Sequence, residues 1–273
     1  MRSRKGRTKG SIGALLVILI ALSGTVLAQE ILLPPPPPPA RDYGKVVLHA
    51  QAAHSPGDVV FDHWLHRSHF TCRVCHVDIG FAMQAGETGI TAESNRQGFH
   101  CGTCHNGQRL FNGKPIFAAC NDGPTNSTCD RCHSVGKPGA RKYNYESYTS
   151  RYPRLTYGIN WQLAEERGII KPVDTLEGMA QAPKKLAPRE DFSIKANLDW
   201  VHPVYFSHEK HTVWNGCELC HPDIFPTVKR SAAHYTMFSN LEGRHCGACH
   251  NQVAFPLNNC SMCHPRAPEW ASK

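Results

Sequence analysis

Cysteine and histidine recur along the chain at a fixed spacing. The pentapeptide Cys-x-x-Cys-His occurs six times and uses 12 of the 13 cysteines. Its two thiols can add to the two vinyl groups of one haem, while the adjoining imidazole reaches one face of the iron. We therefore predict six covalently bound haem c groups. Their attachment cysteines are Cys72 and Cys75, Cys101 and Cys104, Cys129 and Cys132, Cys217 and Cys220, Cys246 and Cys249, and Cys260 and Cys263.

Zinc sites and disulfides explain these motifs less well than haem. Structural zinc usually needs two Cys-x-x-Cys pairs that converge on one metal, and it gives no reason for a histidine after every pair. Disulfides do not need that histidine either. The proximal iron ligands are then His76, His105, His133, His221, His250 and His264.

An internal repeat organises the chain. The segment Phe61-x-His63-x-x-His66 returns 145 residues later as Phe206-x-His208-x-x-His211, and the first two haem motifs return at the same offset. The third motifs break this register, because the first copy has 14 additional residues between its second and third motifs. The odd cysteine, Cys120, lies in that insertion. It is interpreted as an inert buried thiol, with an intermolecular disulfide and a target for damage during haem attachment as alternatives.

The repeat also sorts the histidines outside the motifs. Six of them recur at the common offset, which equals the number of irons that need a distal ligand. They are His63, His66, His100, His208, His211 and His245, whereas His49, His54, His69, His202 and His234 do not recur. No methionine has a repeat partner in an equivalent setting. We therefore predict bis-histidine haems of low potential, and no catalysis, because an iron coordinated on both faces does not readily bind substrate.

Each half resembles a trihaem class III cytochrome c of the cytochrome c7 type, which is related to cytochrome c3. The resemblance covers roughly residues 59–134 and 202–265 and depends on Phe-x-His-x-x-His before the first motif, a histidine before the second and a closely following third. It implies a low-potential periplasmic electron carrier. It also implies which distal histidine serves which haem. His63, His66 and His100 would serve the haems on Cys75, Cys104 and Cys132, and His208, His211 and His245 those on Cys220, Cys249 and Cys263.

The first 28 residues are typical of a secretory signal. Five basic residues precede an apolar run from Ile12 to Leu27, and Ala28 ends a small-residue cleavage site. An uncleaved anchor is the alternative, although the run is short for a bilayer span. The protein should therefore be exported to the periplasm, the cell surface or the outside of the cell. Without the signal, the formal charge of +8 falls to about +3 with no basic stripe, so nucleic acid is not expected as a partner.

The rest of the chain predicts short and irregular elements. Pro34–Pro39 should form a stiff extended spacer, and Lys45–Leu48 with 58–61 a small hairpin. Asn160 should cap a short helix that stops at Gly168. About 245 mature residues would share six haems, so we expect the haems to form the core. The predicted fold is mostly irregular, with short α-helices and small β-hairpins in two tandem cytochrome c7-like trihaem domains.

These predictions define a domain plan. It comprises a signal peptide (1–28), a proline-rich leader with the start of the hairpin (29–57), trihaem domains at 58–134 and 201–266, a connector with a short helix (135–200) and a tail (267–273).

The function that follows is a hexahaem relay of electrons in periplasmic or extracellular respiration, such as metal reduction. Expected partners are an inner-membrane quinol-linked donor, other multihaem cytochromes, and a terminal reductase or extracellular acceptor. Two alternatives are a multihaem oxidoreductase with one open haem and a self-associating subunit of an extracellular filament.

Overall fold

The computed structural model describes residues 34–50, 56–120, 128–137, 143–178, 189–196, 201–226 and 235–265. The chain divides into a unit of Met1–Pro36 and a unit of Pro37–Lys273. The predicted signal peptide and tail lie outside the described residues. Within the described ranges, no helix is long and apolar enough to cross a membrane.

Helices and strands in the second unit are short. The strands are β1 (Lys45–Leu48), β2 (Val59–Asp62), β3 (Leu110–Phe111), β4 (Lys114–Pro115), β5 (Phe192–Ile194) and β6 (Val204–Phe206). The α-helices are α1 (His63–Arg67), α2 (Ala92–Arg96), α3 (Tyr145–Tyr148), α4 (Trp161–Glu166), α5 (His208–Asn215), α6 (Met237–Leu241), α7 (Gly247–His250) and α8 (Cys260–Cys263). A π-helical turn covers Val74–Asp78, and 3-10 turns cover His100–Thr103 and Cys129–Arg131. The predicted short helices and small hairpins are confirmed.

A two-stranded antiparallel sheet leads into the first histidines of each half. In the first half β1 pairs with β2, with Val46 opposite Phe61, as the β-branched runs predict. In the second half β5 pairs with β6, with Phe192 opposite Phe206. Each hairpin ends directly before the helix that carries two predicted distal histidines, α1 or α5. Residues three apart share one side of a helix, so both imidazoles of each helix lie on the same side.

The connector supplies much of the buried apolar surface. The Asn160 side chain accepts a hydrogen bond from the Leu163 amide at 3.0 Å, which starts α4 at the predicted residue. Trp161 and Ala164 on this helix are buried. Seven buried side chains form one cluster: Trp64, Tyr145, Ile159, Trp161, Ala164, Ile170 and Trp214.

This cluster joins the two halves through the connector, because Trp64 belongs to the first half and Trp214 to the second. Sequence analysis predicted the helix but not the cluster. The apolar core between the halves is therefore protein, whatever the haems add within each half.

Candidate haem-binding site

The attachment motifs lie on tight helical turns. Five of the six overlap a helix or helical turn, and the fourth, Cys217–Cys220, lies in a turn. A helical turn brings positions i and i+3 to one side, so both thiols of a motif can reach one porphyrin edge. All 13 cysteines are free thiols in the structure. Among the described residues, no group of three or more histidine, cysteine or acidic side chains could hold a metal ion.

Glycine allows the second motif of each half to pack against the preceding helix. A Cβ atom at Gly102 would lie 1.8 Å from the Asn95 carbonyl oxygen, and one at Gly247 would lie 1.8 Å from that of Asn240. No other side chain fits such a contact. The helices α2 and α6 therefore hold the second haem motif at the same place in both halves.

Burial favours the protonated form of several attachment thiols. It raises the pKa of Cys75, Cys249 and Cys263 to about 12 in each case. Haem attachment adds sulfur and hydrogen across a vinyl double bond, so it consumes an S–H group of this kind. The cysteines therefore fit the cofactor that their spacing predicts.

Three predicted pairs of axial ligands face each other across the space of one iron. An imidazole centre lies roughly 1.1 Å from its nitrogens and a metal–imidazole bond is about 2 Å long, so opposed ligands should have ring centres about 6 Å apart. The observed distances are 6.4 Å for His63 and His76, 6.3 Å for His66 and His105, and 6.1 Å for His211 and His250. These are the pairs that the resemblance implies for the haems on Cys75, Cys104 and Cys249.

Hydrogen bonds to backbone carbonyls orient most of the predicted ligands. A carbonyl can only accept, so the proton must sit on Nδ1, and Nε2 keeps the lone pair that binds iron. The donors and acceptors are His63 to Gly44 (2.6 Å), His66 to Asp62 (3.4 Å), His76 to Phe81 (2.9 Å), His133 to Gly57 (2.5 Å), His208 to Glu190 (2.8 Å), His211 to Ser207 (2.7 Å), His221 to Phe225 (2.6 Å), His250 to Phe255 (3.2 Å) and His264 to His202 (2.6 Å).

His69 has the opposite orientation. Its Nε2 lies 2.9 Å from the hydroxyl of Tyr148, so the nitrogen that would bind iron is already engaged. His49 also differs, because its Nδ1 lies 2.8 Å from the Asp58 carboxylate on an exposed side chain. Neither histidine recurs in the repeat, so their orientations agree with the prediction that only the recurring histidines are distal ligands.

Burial keeps several of the ligand histidines neutral at neutral pH, as metal binding requires. Burial lowers the pKa of His63, His66 and His250 to about 4. Burial also lowers the pKa of His76 and His105.

The remaining three distal histidines contact aromatic rings. His100 lies 5.7 Å from the ring centre of Phe81, His208 lies 5.0 Å from Phe206, and His245 lies 5.0 Å from Tyr235. His100 and His245 share a left-handed backbone, with φ of 48° and 50°. This conformation is uncommon outside glycine, so its occurrence in both halves indicates a functional constraint on each histidine.

His100 also lines a cavity of about 600 Å³ together with His76 and with Glu218 and Leu219 of the second half.

The spare residues have structural contacts. The His202 carbonyl orients His264, although its side chain is exposed. Cys120 accepts a hydrogen bond on sulfur from Asn95 at 3.7 Å, and its carbonyl accepts one from Arg96 at 3.3 Å. His54 and His234 lie outside the described residues.

Sequence reasoning missed Tyr43 and Arg67, which contact His250 and Val253 of the second half. Arg67 donates from Nη1 to the Val253 carbonyl at 2.8 Å, and the Tyr43 hydroxyl donates to the His250 carbonyl at 3.0 Å. One signal was present in the repeat: the position of Arg67 is occupied by Thr212 in the second copy.

Paired imidazoles beside Cys-x-x-Cys-His motifs define a multihaem c-type cytochrome. The family model for cytochrome c7 and related cytochromes c matches residues 59–134 and 204–265, so the chain belongs to this family. The predicted resemblance is confirmed. Covalently bound haem c and electron transfer follow from this membership.

Three solved structures are similar to the chain. The C-terminal hexahaem fragment of GSU1996 is 22% identical and covers 85% of this chain and 100% of its own, with a TM-score of 0.26. Its N-terminal hexahaem fragment is 21% identical and covers 82% and 99%, with a TM-score of 0.25. The dodecahaem cytochrome c GSU1996 is 22% identical and covers 82% of this chain and 75% of its own, also with a TM-score of 0.25. No curated protein matches the chain.

Proposed function

We propose that the protein is a hexahaem electron carrier whose haems all have two histidine ligands. The observation that carries this proposal is the set of three imidazole pairs with ring centres 6.1 to 6.4 Å apart. Five of the six histidines in these pairs donate an Nδ1 hydrogen bond to a carbonyl, which leaves Nε2 for the iron. When bound, the haem iron supplies a one-electron Fe(III)/Fe(II) couple. The protein side chains attach, orient and enclose it.

Two histidine ligands favour electron transfer over catalysis and a low reduction potential over a high one. The iron has no free coordination position, and a methionine ligand, which would raise the potential, is missing from the repeat. All six haems are attached within two short stretches of chain, so electrons can pass between neighbours. Each haem would pass electrons on rather than deliver them to a bound substrate, because it can accept and release an electron without any change in bonding.

The physiological role is a relay outside the cytoplasm. A membrane-linked quinol oxidising system or another cytochrome would supply electrons, and a terminal reductase or an extracellular acceptor such as a metal oxide would receive them. The predicted amino-terminal export signal supports this location, as does covalent attachment, which would retain haem even where solvent reaches it.

The test is a count of covalent haem joined to electron paramagnetic resonance of the oxidised holoprotein. We expect six haems per chain and low-spin signals alone. Fewer than six haems would contradict the stoichiometry. A high-spin signal that responds to carbon monoxide on reduction would instead favour a multihaem oxidoreductase, with an iron served by His100, His208 or His245 as the open site.

A further inference from the structure

Tyr43 and Gly44 connect an axial ligand of the first half to one of the second half. The Gly44 carbonyl accepts the Nδ1 hydrogen bond of His63 at 2.6 Å, and the Tyr43 hydroxyl donates to the His250 carbonyl at 3.0 Å. A Cβ atom at Gly44 would lie 3.4 Å from the Cβ of His63 and 3.5 Å from Cγ1 of Val253. His63 belongs to the haem on Cys72 and Cys75, and His250 to the haem on Cys246 and Cys249. The two haem sites therefore adjoin each other.

A partly buried arginine lies in the same place. The Arg67 guanidinium stacks on the rings of Trp161 at 4.8 Å and Trp214 at 5.1 Å, while Nη1 donates to the Val253 carbonyl. It lines one small cavity together with Tyr43, His63 and Val253, which places it between the two sites. We call these contacts of Tyr43, Gly44 and Arg67 the joint.

The charge of Arg67 has no counter-ion among the described residues. None of their carboxylates lies within ion-pair distance of it, and its Nε is buried without an acceptor. Two indole faces partly stabilise the cation, and water cannot screen it fully.

Arg73 provides the contrast at another contact between the halves. Its guanidinium holds Asp78 through two contacts of 2.9 Å and lies 3.9 Å from Glu218, which occupies the repeat position of Arg73 itself. Those carboxylates neutralise Arg73. A haem beside Arg73 would therefore meet no uncompensated cation, whereas a haem beside Arg67 would.

A nearby cation favours the reduced iron, because reduction removes one positive charge from the haem. We propose that electrons cross between the two halves at the joint, between the haem on Cys72 and Cys75 and the haem on Cys246 and Cys249, and that Arg67 raises the reduction potentials of this pair. With haem bound, one electron would leave one iron, which would pass from Fe(II) to Fe(III), and would reach the other, which would pass from Fe(III) to Fe(II). No proton or bond moves. This inference rests on the proposed function.

The test uses full-length holoprotein carrying Arg67→Gln, with Arg67→Lys and Arg151→Gln as controls. Glutamine keeps a donor for the Val253 carbonyl but loses the charge. Lysine keeps the charge but loses the planar stack on the two indoles. Arg151 is exposed, so Arg151→Gln removes one positive charge at the surface. Each midpoint potential is measured by redox titration with haem-resolved paramagnetic NMR. We expect Arg67→Gln to lower the potentials of the two joint haems and shift the other four less, while both controls stay near wild type. Equal shifts at all six haems, or none, would overturn the role of Arg67.

A measurement on the unmodified protein tests the crossing even if Arg67→Gln does not fold. The protein is titrated through its partly reduced states. The midpoint potential of the haem on Cys246 and Cys249 should then change more with the oxidation state of the haem on Cys72 and Cys75 than with that of any other haem in the first half. A stronger dependence between the haem on Cys72 and Cys75 and the haem on Cys217 and Cys220 would place the crossing at Arg73 and overturn the proposal. Haem count and spin state on the same samples report on the proposed function separately.

Discussion

The ligand-positioning segments of the two halves can be compared residue by residue, because they repeat at an offset of 145. Phe61 packs on His66 and Phe206 on His211, both with ring centres 4.4 Å apart. The second distal histidine meets its proximal partner at an interplanar angle of 60° in the first half and 63° in the second. The left-handed third histidine and the glycine pressed on a carbonyl also occur in both halves. The second ligand pair of each half and the groups that support it therefore have nearly the same geometry in both halves.

The halves differ where they meet. Trp64, Arg67 and His69 of the first half correspond to Glu209, Thr212 and Trp214 of the second. Trp64 and Trp214 are buried in the cluster around α4, and Arg67 stacks against Trp214. Two copies of one surface cannot both face the same connector in the same way, so the contact needs different residues on its two sides. The residues that position the iron ligands are therefore the same in both halves, whereas the residues of the joint differ between them.

The strongest test of the shared geometry removes one distal ligand from each half. His66→Ala and His211→Ala should each convert one haem, roughly one sixth of the total, from low-spin to high-spin, because the iron loses its sixth ligand. Electron paramagnetic resonance of the oxidised variants measures the high-spin fraction. His69→Ala is the matched control in the first half, and it should leave all haems low-spin. Unequal conversion in the two halves would break the equivalence of the ligand pairs.

Trp214 tests the asymmetry of the joint. Trp214→Ala removes a buried indole and should lower the free energy of unfolding by about 3 to 5 kcal/mol. His69→Ala, at the equivalent repeat position, removes a smaller and less buried ring and should cost less. Urea denaturation followed by haem absorbance measures both. Equal losses would show that the tryptophan cluster does not hold the halves together.

The features that could be predicted from the sequence are those that depend on the repeat or on the haem-attachment motifs, or that form within a short stretch of chain. The haem-attachment motifs follow from Cys-x-x-Cys-His alone, and the pairing of His63 with His76 follows from the family resemblance and agrees with the rings in the structure. The β1–β2 hairpin and the capped α4 were local patterns with a known mechanism. These features depend on residues close in sequence or on a recurring chemical requirement.

The joint was beyond sequence reasoning because its contacts cross long stretches of chain. The bond from Tyr43 to His250 spans 207 residues, and that from Arg67 to Val253 spans 186. Neither side chain recurs in the repeat, and neither carries a motif. His100 shows a second limit, since its left-handed backbone and its position in the lining of the same cavity as His76 follow from packing rather than from spacing.

The glycine contact offers a smaller and symmetric test. Gly102→Ala and Gly247→Ala each force a methyl group against a carbonyl oxygen, so each should cost about 1 to 3 kcal/mol of the free energy of unfolding. Thr103→Ser and Ala248→Ser, at the next position of each motif, should stay within about 0.5 kcal/mol of wild type. The same denaturation experiment applies. A cost in one half alone would mean that α2 and α6 do not hold their motifs alike.

The helix caps give the smallest expected difference between the halves. Thr91 accepts a hydrogen bond from the Ser94 amide at 3.0 Å, and Thr236 accepts one from the Ser239 amide at 3.1 Å. Thr91→Ala and Thr236→Ala should each cost about 1 kcal/mol, and replacement by serine should restore stability because the hydroxyl is kept. Ser94 adds a reciprocal bond from the Thr91 amide at 3.0 Å, which closes a capping box. That bond needs only the backbone of residue 91, so alanine removes the same side-chain bond in both halves. If the two alanine variants lose the same free energy of unfolding within a few tenths of a kcal/mol, the helices α2 and α6 are equivalent in the two halves, as the iron ligands are. A larger loss for Thr91→Ala would show that the two hydrogen bonds of the capping box stabilise each other.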